Sequence, residues 1–219
     1  DMGYDNGSFS LPPLETREHV VTAKTRREGW LFDMPAIGLQ EQRQERRRTI
    51  QERCELATSL VNNTGAPAVC WCHLNDEGDL LENLIPDAAQ VSGKDSDEKK
   101  EAALEAFASG SVRVMVTKPS IAGFGLNWQH CAHQTFFPSH SFEQWYQAVR
   151  RSWRFGQTKP VVVDVISSEG ERDVLSNLQR KQDAAAAMFS NLVSMMHEGL
   201  DIQREPYKGR KEKLPAWLR

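Results

Sequence analysis

The chain has 219 residues, of which 39% are hydrophobic and 26% charged, so a packed core is available and global disorder is excluded. Its formal net charge of −3 excludes a protein that is basic throughout, and any site for a polyanion must be a local patch. No apolar run approaches the roughly 20 residues of a membrane-spanning helix, and no signal peptide is visible. We therefore expect a cytoplasmic protein with no membrane partner.

The first part of the chain is predicted to be an extension of a globular domain. Residues 1–16 are rich in Gly, Ser and Pro, and a short strand is expected near 19–23. A helix over about 38–62 follows, and its charged first half, EQRQERRR, is typical of a solvated helical face. These patterns predict a linker and irregular extension at 1–37, a globular domain at 38–200 and a basic tail at 201–219. The start at Asp1 and the linker-like opening indicate a piece of a longer polypeptide.

From residue 68 onward, strand patterns alternate with helix patterns. Strands are predicted at 68–73, 88–91, 112–117, 134–138 and 161–166. Helices are predicted at 76–85, from an Asp95-x-x-Glu98 capping box to Phe107, at 141–153 and at about 170–197. This alternation predicts an α/β domain with a mostly parallel sheet that is covered on both faces. Ligand sites in such sheets collect at the carboxyl ends of the strands, where HLNDEGD, TKPSIAGFGLNW and PSHSFEQW lie.

The segment QAVRRSWRFGQ (147–157) is the principal candidate for an anion site. On the predicted helix, Gln147, Arg151 and Arg154 share one face, with Arg150 beside them. Two guanidinium groups on one face repel each other unless an anion lies between them, and their planar forks suit phosphate or carboxylate oxygens. The alternative is that these arginines form salt bridges with acids elsewhere in the fold.

A second candidate is the glycine-containing loop in TKPSIAGFGLNWQ (117–129). Gly123 and Gly125 would let the backbone come close to a ligand or turn tightly. Lys118 and exposed backbone amides would suit a phosphate. A plain connecting loop is the alternative.

Two groups of sulfur and imidazole side chains are interpreted as core rather than as metal sites. Neither group has the ligand spacing of a zinc site, and all four cysteines are expected to be reduced and mostly buried. The members of the two groups are Cys70, Cys72 and His73, and His130, Cys131 and His133.

The segment DEGD (76–79) imitates a magnesium-binding motif because it follows an apolar run. However, Leu74 and Asn75 intervene and no phosphate loop precedes it. We therefore expect Asp76 to cap a helix instead.

Two of these segments together resemble a known family. GFGLNWQ followed by QWYQAVRRSWRFGQ is similar to motifs V and VI of superfamily-two helicases, particularly the Swi/Snf-type ATPases and their phage- or prophage-encoded members. Motif VI of that family has the form Q-A-x-D-R-x-x-R-x-G-Q, and this chain departs from it at Arg150, where the family has an acid. AVCWCHLNDEGDLLENL resembles motif IV, and the resemblance extends over about residues 66–168.

The resemblance implies the second of two RecA-like lobes: a three-layer α/β/α domain, here with an N-terminal helical extension. In this family ATP lies between the lobes, and the first lobe carries the phosphate loop and the DExx acid that serves Mg²⁺. By the motif match, the catalytic positions are Arg154 (the arginine finger), Arg151 (its γ-phosphate partner) and Gln147 (which orients them). The implied cofactor-binding positions are Gly123, Gly125, Asn127 and Gln157, and the implied nucleic-acid positions are Thr117, Lys118, Ser92, Gly93 and His73.

The sequence has no G-x-x-x-x-G-K-[ST] phosphate loop, so this chain alone is expected not to hydrolyse ATP. ATP and Mg²⁺ would be held mainly by an N-terminal lobe of the same polypeptide. Without that lobe, Arg151 and Arg154 are expected to face an open surface. The resemblance therefore implies part of an ATP-dependent helicase or translocase in a bacterial host cell, with nucleic acid as partner and DNA as the expected type.

Other interpretations remain open at this stage. One is a non-catalytic nucleic-acid-binding or scaffolding module, which Arg150 favours. Another is an unrelated α/β enzyme, such as a nucleotide-sugar transferase, that uses the arginines for a diphosphate. The basic tail at 204–219 either contacts DNA or extends into solvent.

Overall fold

The computed structural model describes residues 11–23, 39–122, 126–139 and 141–200. The chain divides into two compact units. The larger unit, residues 5–182, contains the whole sheet. The smaller unit consists of residues 1–4 and 183–219, and its described part is the second half of the last helix.

The described residues form a six-stranded sheet in which every pairing is parallel. The strand order is β1-β6-β5-β2-β4-β3. The strands are β1 (Leu14–Val21), β2 (Ala68–Trp71), β3 (Ala88–Val91), β4 (Val114–Thr117), β5 (His133–Phe136) and β6 (Val161–Ser168). The helices are α1 (Leu39–Arg48), α2 (Ile50–Thr64), α3 (Asn75–Leu84), α4 (Asp97–Ala108), α5 (Pro119–Ala122), α6 (Phe142–Val149) and α7 (Arg172–Leu200). The predicted α/β class with a parallel sheet is confirmed.

Two apolar layers cover the two faces of the sheet, as continuous buried strands require. Alternation along β2 sends Val69 and Trp71 into one layer and Cys70 into the other. All four cysteines are buried and unpaired, as predicted. Burial raises the pKa of the Cys131 thiol to about 11, so the thiol stays protonated at neutral pH.

The N-terminal segment contributes more to the sheet than its composition indicates. The strand predicted near 19–23 instead spans eight residues, Leu14–Val21, and pairs in parallel with β6 along its full length. The expected irregular extension therefore contains an edge strand. Half of the β1 side chains are both exposed and polar, as is usual for a strand at the edge of a sheet. Its backbone pairing with the strongly apolar β6 attaches it to the sheet.

The solvated face predicted for EQRQERRR is present, with Arg43 and Arg47 exposed, but the opposite face of the helix is buried, which was not predicted. Gln42, Glu45, Thr49 and Arg53 recur at helical spacing, and all are buried. The single predicted helix is also divided into α1 and α2 at Thr49. A polar stripe can be buried here because its members find partners, as Thr49 does by donating its hydroxyl to the Glu45 carbonyl at 2.8 Å.

The predicted caps of α3 and α4 also need correction. Ser96, not Asp95, caps α4 by accepting a hydrogen bond from the Lys99 amide. Asp95 instead accepts from the Ser92 amide at 2.7 Å. In α3, the expected cap Asp76 lies inside the helix, and the side chain of Glu77 fulfils the capping role.

Glu77 joins three elements at the start of α3. Its carboxylate lies 2.8 Å from the Arg53 guanidinium, and both side chains are fully buried. It also accepts hydrogen bonds from the backbone amides of His73 and Leu74 at 2.8 and 2.9 Å. Burial alone would raise the pKa of Glu77, but the Arg53 charge and the two amides bring it below its ordinary 4.5.

Replacing Glu77 with Ala should reduce the free energy of unfolding by about 3–5 kcal/mol, because it leaves the Arg53 charge buried without its counter-ion. Urea denaturation at pH 7 measures the loss. Lys100→Ala, which breaks the exposed pair with Asp97, should cost under about 1 kcal/mol. Since the Glu77 pKa is lowered in the folded state, the contribution is present above about pH 4.5 and declines as pH falls through the folded-state value. A Glu77→Ala cost no larger than that of Lys100→Ala would contradict the assignment.

Candidate functional site

The two connections that lead into β5 and β6, residues 126–132 and 150–160, are bound to each other. The Trp128 amide donates to the Arg151 carbonyl at 2.9 Å. The side chain of Gln129 donates back to the Phe155 carbonyl. The two connections thus form one structural unit, although about 20 residues of chain separate them.

The guanidinium groups of Arg151 and Arg154 meet at one backbone carbonyl. The Leu126 oxygen lies 3.0 Å from Arg151 Nη1 and 3.4 Å from Arg154 Nη1. Gln147 holds Arg151 from the other side, through its backbone carbonyl at 3.0 Å and its side-chain oxygen at 3.2 Å. The structure therefore brings all three predicted catalytic residues together, beside the end of the glycine-containing loop.

The charges at this point are not neutralised by acids. Within the described ranges, neither Arg151 nor Arg154 makes a salt bridge to a carboxylate. Burial, and then the neighbouring Arg154 charge, lowers the pKa of Arg151. An incoming anion would relieve this repulsion, which is the electrostatic property expected of a phosphate site.

Two features of the predicted geometry are wrong. Helix α6 ends at Val149 rather than at residue 153, so Arg151 and Arg154 extend from turns beyond the helix. Beyond Val149 the backbone continues in turns, and the Arg151 carbonyl accepts from the Trp128 amide. In addition, Arg151 is only 8% exposed, whereas an open position was expected for both arginines.

Arg150, which departs from the family pattern, has a separate set of contacts. Its guanidinium lies over the rings of Trp153, at 4.7 Å, and Tyr146, at 5.2 Å. It also donates to the Tyr146 hydroxyl at 3.0 Å. Cation–π contacts of this kind stabilise the turn by about 0.5–2 kcal/mol. Trp153 donates to the Pro12 carbonyl at 2.8 Å, which links the turn to the segment before β1.

Gln157 fastens the same unit through its side-chain amide. Its nitrogen donates to three backbone carbonyls, and its oxygen accepts from two backbone amides. The nitrogen's partners are Gln129, Cys131 and Ser152, and the oxygen's are Thr158 and Lys159. These contacts give Gln157 a positioning role, and its direct contact with a nucleotide stays a prediction.

Gly156 is required by the same packing. Its φ of +89° favours glycine, and an added Cβ would lie 2.6 Å from the Gln129 side-chain nitrogen. Motif matching did not single out Leu126 or Gln129. Leu126 contributes its backbone carbonyl, which leaves no residue-type signal in a sequence, although its position directly after GFG was available. Gln129 contributes its side-chain amide, and the signal available for it was its place at the end of the matched segment GFGLNWQ.

The other predicted cofactor positions are only partly described. Gly123 and Gly125 lie outside the described residues. Asn127 is exposed, next to the carbonyl that the two arginines share. Its role toward a nucleotide stays a prediction.

The five predicted nucleic-acid positions lie where β2, β3 and β4 end, along the carboxyl edge of the sheet. Ser92 and Gly93 follow β3, and the Ser92 hydroxyl donates to Asp95 at 2.9 Å. Lys118 follows β4 and donates to the Asn75 side chain at 2.7 Å. These residues form one surface across adjacent strand ends.

Two of the five have internal partners: Thr117, whose side chain is buried, and His73, whose side chain is half-buried. Thr117 is fully buried and donates to the Val91 carbonyl at 3.0 Å, which ties β4 to β3. The His73 Nε2 lies 2.9 Å from the Phe137 carbonyl, so this nitrogen carries the proton. Burial, reinforced by the Arg46 charge, lowers the pKa of His73 to about 4, so it is neutral at pH 7. Their contribution to this edge is therefore structural.

The two sulfur–imidazole groups have partners within the protein. His133 is hydrogen bonded to Asp164 at 2.7 Å, and the Cys131 thiol lies 3.1 Å from the His133 carbonyl. In the part of the chain that the structure describes, no set of three His, Cys, Asp or Glu side chains is arranged to hold a metal ion. Within the same part, no helix combines the length and apolar character needed to cross a bilayer.

Two solved structures with a similar fold are the following. The C-terminal part of the Fun30 ATPase domain aligns with a TM-score of 0.51 and 16% identity, over 60% of this chain and 45% of that one. Dbp5 of S. cerevisiae, solved bound to Gle1 and IP6, aligns with a TM-score of 0.58 and 10% identity, over 77% of this chain and 39% of that one. This likeness, with the six parallel strands, shows the predicted RecA-like α/β fold.

The chain spans less than half the length of either solved chain. No family model and no curated protein matches the sequence. The fold is therefore established by structure, and activity has to be argued from the site.

Replacing Gln157 with Ala should lower the free energy of unfolding by about 1–3 kcal/mol, because buried carbonyls lose their donor. Hydrogen exchange at the amides of Thr158 and Lys159, which lose their acceptor, should accelerate. Urea denaturation and exchange measured by NMR report these effects. The exposed Gln51, whose side chain contacts Glu55, provides the control, since Gln51→Ala should change stability by less than about 0.5 kcal/mol. Unchanged exchange in the Gln157 variant would contradict the positioning role.

Proposed function

We propose that this chain is the second RecA-like lobe of a superfamily-two, Swi/Snf-like helicase or translocase driven by ATP. In this proposal Arg154 and Arg151 act on ATP that is bound between this lobe and an N-terminal lobe of the same polypeptide. The first lobe holds most of the ATP and its Mg²⁺. The fold likeness to part of the Fun30 ATPase domain and the motif resemblance over residues 66–168 support this proposal.

The observation that carries the proposal is the meeting of two arginines at the Leu126 carbonyl without an acidic partner among the described residues. Phosphoryl transfer needs positive charge next to oxygens that gain negative charge in the transition state. Arg154, half-buried and held here by one long hydrogen bond, is free enough to reach such an oxygen. Arg151, which is fixed by Gln147 and Leu126, provides the rigid second charge.

The carboxyl edge at Ser92, Gly93 and Lys118 is the proposed contact with the nucleic-acid backbone. These residues offer an exposed glycine backbone, a hydroxyl and an ammonium group, which are the groups that proteins use for phosphates. DNA as the nucleic acid, a phage or prophage origin and the bacterial cytoplasm are supported by the sequence resemblance alone.

A second candidate function is a non-catalytic nucleic-acid-binding or scaffolding module with the same fold. Arg150 favours it, because a stacked arginine replaces the acid of motif VI. The buried state of Arg151 also fits a structural role. The sequence of the complete polypeptide distinguishes the two candidates. The motor proposal requires a phosphate loop followed by a DExx motif in its first lobe, whereas the scaffolding proposal requires neither.

In the two-lobe polypeptide, Arg154→Ala should lower the ATPase kcat by about 10³-fold or more, because an arginine finger contributes that much. Arg154→Lys should recover little, since the ammonium group lacks the planar fork. Arg180→Ala is the matched control, because Arg180 is exposed on α7 and contacts only Asn177 at 3.4 Å in the described structure. Steady-state ATPase assays measure kcat for each variant, and unfolding curves show that each variant is folded. Normal turnover by Arg154→Ala would remove Arg154 from the finger role.

The chain of 219 residues by itself should show no appreciable ATP hydrolysis at any nucleic-acid concentration, because the phosphate loop is supplied by the other lobe. A phosphate-release assay on the purified chain measures this, with the two-lobe polypeptide as the positive control. Robust turnover by the chain alone would overturn the shared-site proposal.

A further inference from the structure

A cavity of about 280 Å³ lies at the amino ends of β5 and β6, the opposite edge from the proposed nucleic-acid surface. Its wall is mostly apolar and includes Leu60, Pro67, Ala132 and Val162. A water molecule occupies about 30 Å³ of liquid, so the volume corresponds to roughly nine waters or a ligand with a similar number of non-hydrogen atoms. This is a small-molecule cavity, below the size of a nucleotide site.

The buried end of the cavity is a closed hydrogen-bond network. Asp164 accepts from His133 Nε2 and from His19 Nε2, each at 2.7 Å. The other ring nitrogen of His133 lies 3.4 Å from the Thr64 hydroxyl, which donates to the Val61 carbonyl. The Asp164 carboxylate is 2% exposed and engaged on both oxygens. Its negative charge therefore lies behind the two imidazole N–H groups, where a ligand cannot contact it directly.

The exposed rim of the cavity carries positive charge. Lys159 is exposed, and its ammonium group has no partner among the described residues. Arg17 lies on the same rim, where it pairs with Glu15 at 2.8 Å. Of these two cations on the rim, Lys159 is therefore the one without an acidic partner among the described residues. An apolar interior with a cationic rim is complementary to a ligand that has an apolar body and an anionic head.

We propose that this cavity binds a small organic anion, with its apolar body against Leu60 and Val162 and its anionic head at Lys159. A carboxylate and a phosphate monoester share the required chemistry. This inference does not depend on the proposed ATPase function, because none of the cavity residues belongs to the arginine site or to the carboxyl edge.

The test uses the complete 219-residue chain and three ring-sized probes: benzoate, phenyl phosphate and the neutral benzamide. Titrations followed by ¹⁵N NMR should show saturable shifts at the amides of Thr64, Ala132 and Val162. Benzoate or phenyl phosphate should bind with a Kd on the order of 1 mM, as expected for so few atoms. Benzamide should bind at least about tenfold more weakly, because it lacks the charge for Lys159. The ratio between the two anions identifies the preferred head group.

Variants separate the anion contact from general effects. Lys159→Gln should weaken the tighter anion about fivefold, because an exposed charge-assisted contact is lost. Lys100→Gln removes the same charge from helix α4 and should leave binding unchanged. Ala132→Leu should abolish binding of every probe by filling the cavity, with thermal unfolding used to show that it still folds.

Four results would overturn the proposal. One is the absence of saturable shifts for either anion well above the expected Kd. The second is equal binding of benzoate and benzamide, and the third is binding that Lys159→Gln leaves unchanged. The fourth is shifts centred on Arg151 and Arg154 instead of the cavity, which would place the anion at the arginine site. Loss of ATPase activity in the two-lobe polypeptide would bear on the proposed function and not on this cavity.

Discussion

The backbone carbonyl of Leu126 is the point on which the candidate site depends. Two guanidinium groups of like charge lie against it, and their repulsion costs free energy that one neutral oxygen offsets only in part. The arrangement persists because Gln147, Gln157 and the Trp128 amide fix the surrounding backbone. Preorganised charge of this kind is expected where an anion binds, since no further movement is needed to receive it.

Two other arginines with little exposure pair with acids. Arg53 meets Glu77 at 2.8 Å, and Arg46 meets Glu171 at 2.7 Å, with both acids fully buried. Partners of this quality avoid the cost of leaving a buried charge uncompensated. The lack of an acid is shared by Arg113, which contacts only carbonyl and amide oxygens in the described structure. What sets Arg151 apart is the second guanidinium group, that of Arg154, at the same carbonyl oxygen.

Local patterns were sufficient to predict the parallel sheet, but not the polar interior. Apolar β-branched runs such as VVVDVI (161–166) predict buried strands because burial on both faces requires them. The buried face of the charged run, which contains Glu45, was not predicted, because whether such a face is solvated depends on partners that are distant in sequence. The hydrogen bond from the Trp128 amide to the Arg151 carbonyl, just beyond the end of α6, likewise joins residues more than 20 positions apart. Motif matching identified the arginines, but not the carbonyl that joins them.

The proposed nucleic-acid edge and the arginine site are connected through one short stretch of chain. At one end, Thr117 is fixed to the Val91 carbonyl, and Lys118 follows it onto the carboxyl edge. At the other end, the Leu126 carbonyl is held by Arg151. Residues 119–122 between these two points form the short helix α5, and residues 123–125 lie outside the described structure. The carboxyl edge and the arginine site therefore lie at the two ends of one ten-residue stretch of sequence, so a substitution within that stretch can affect both.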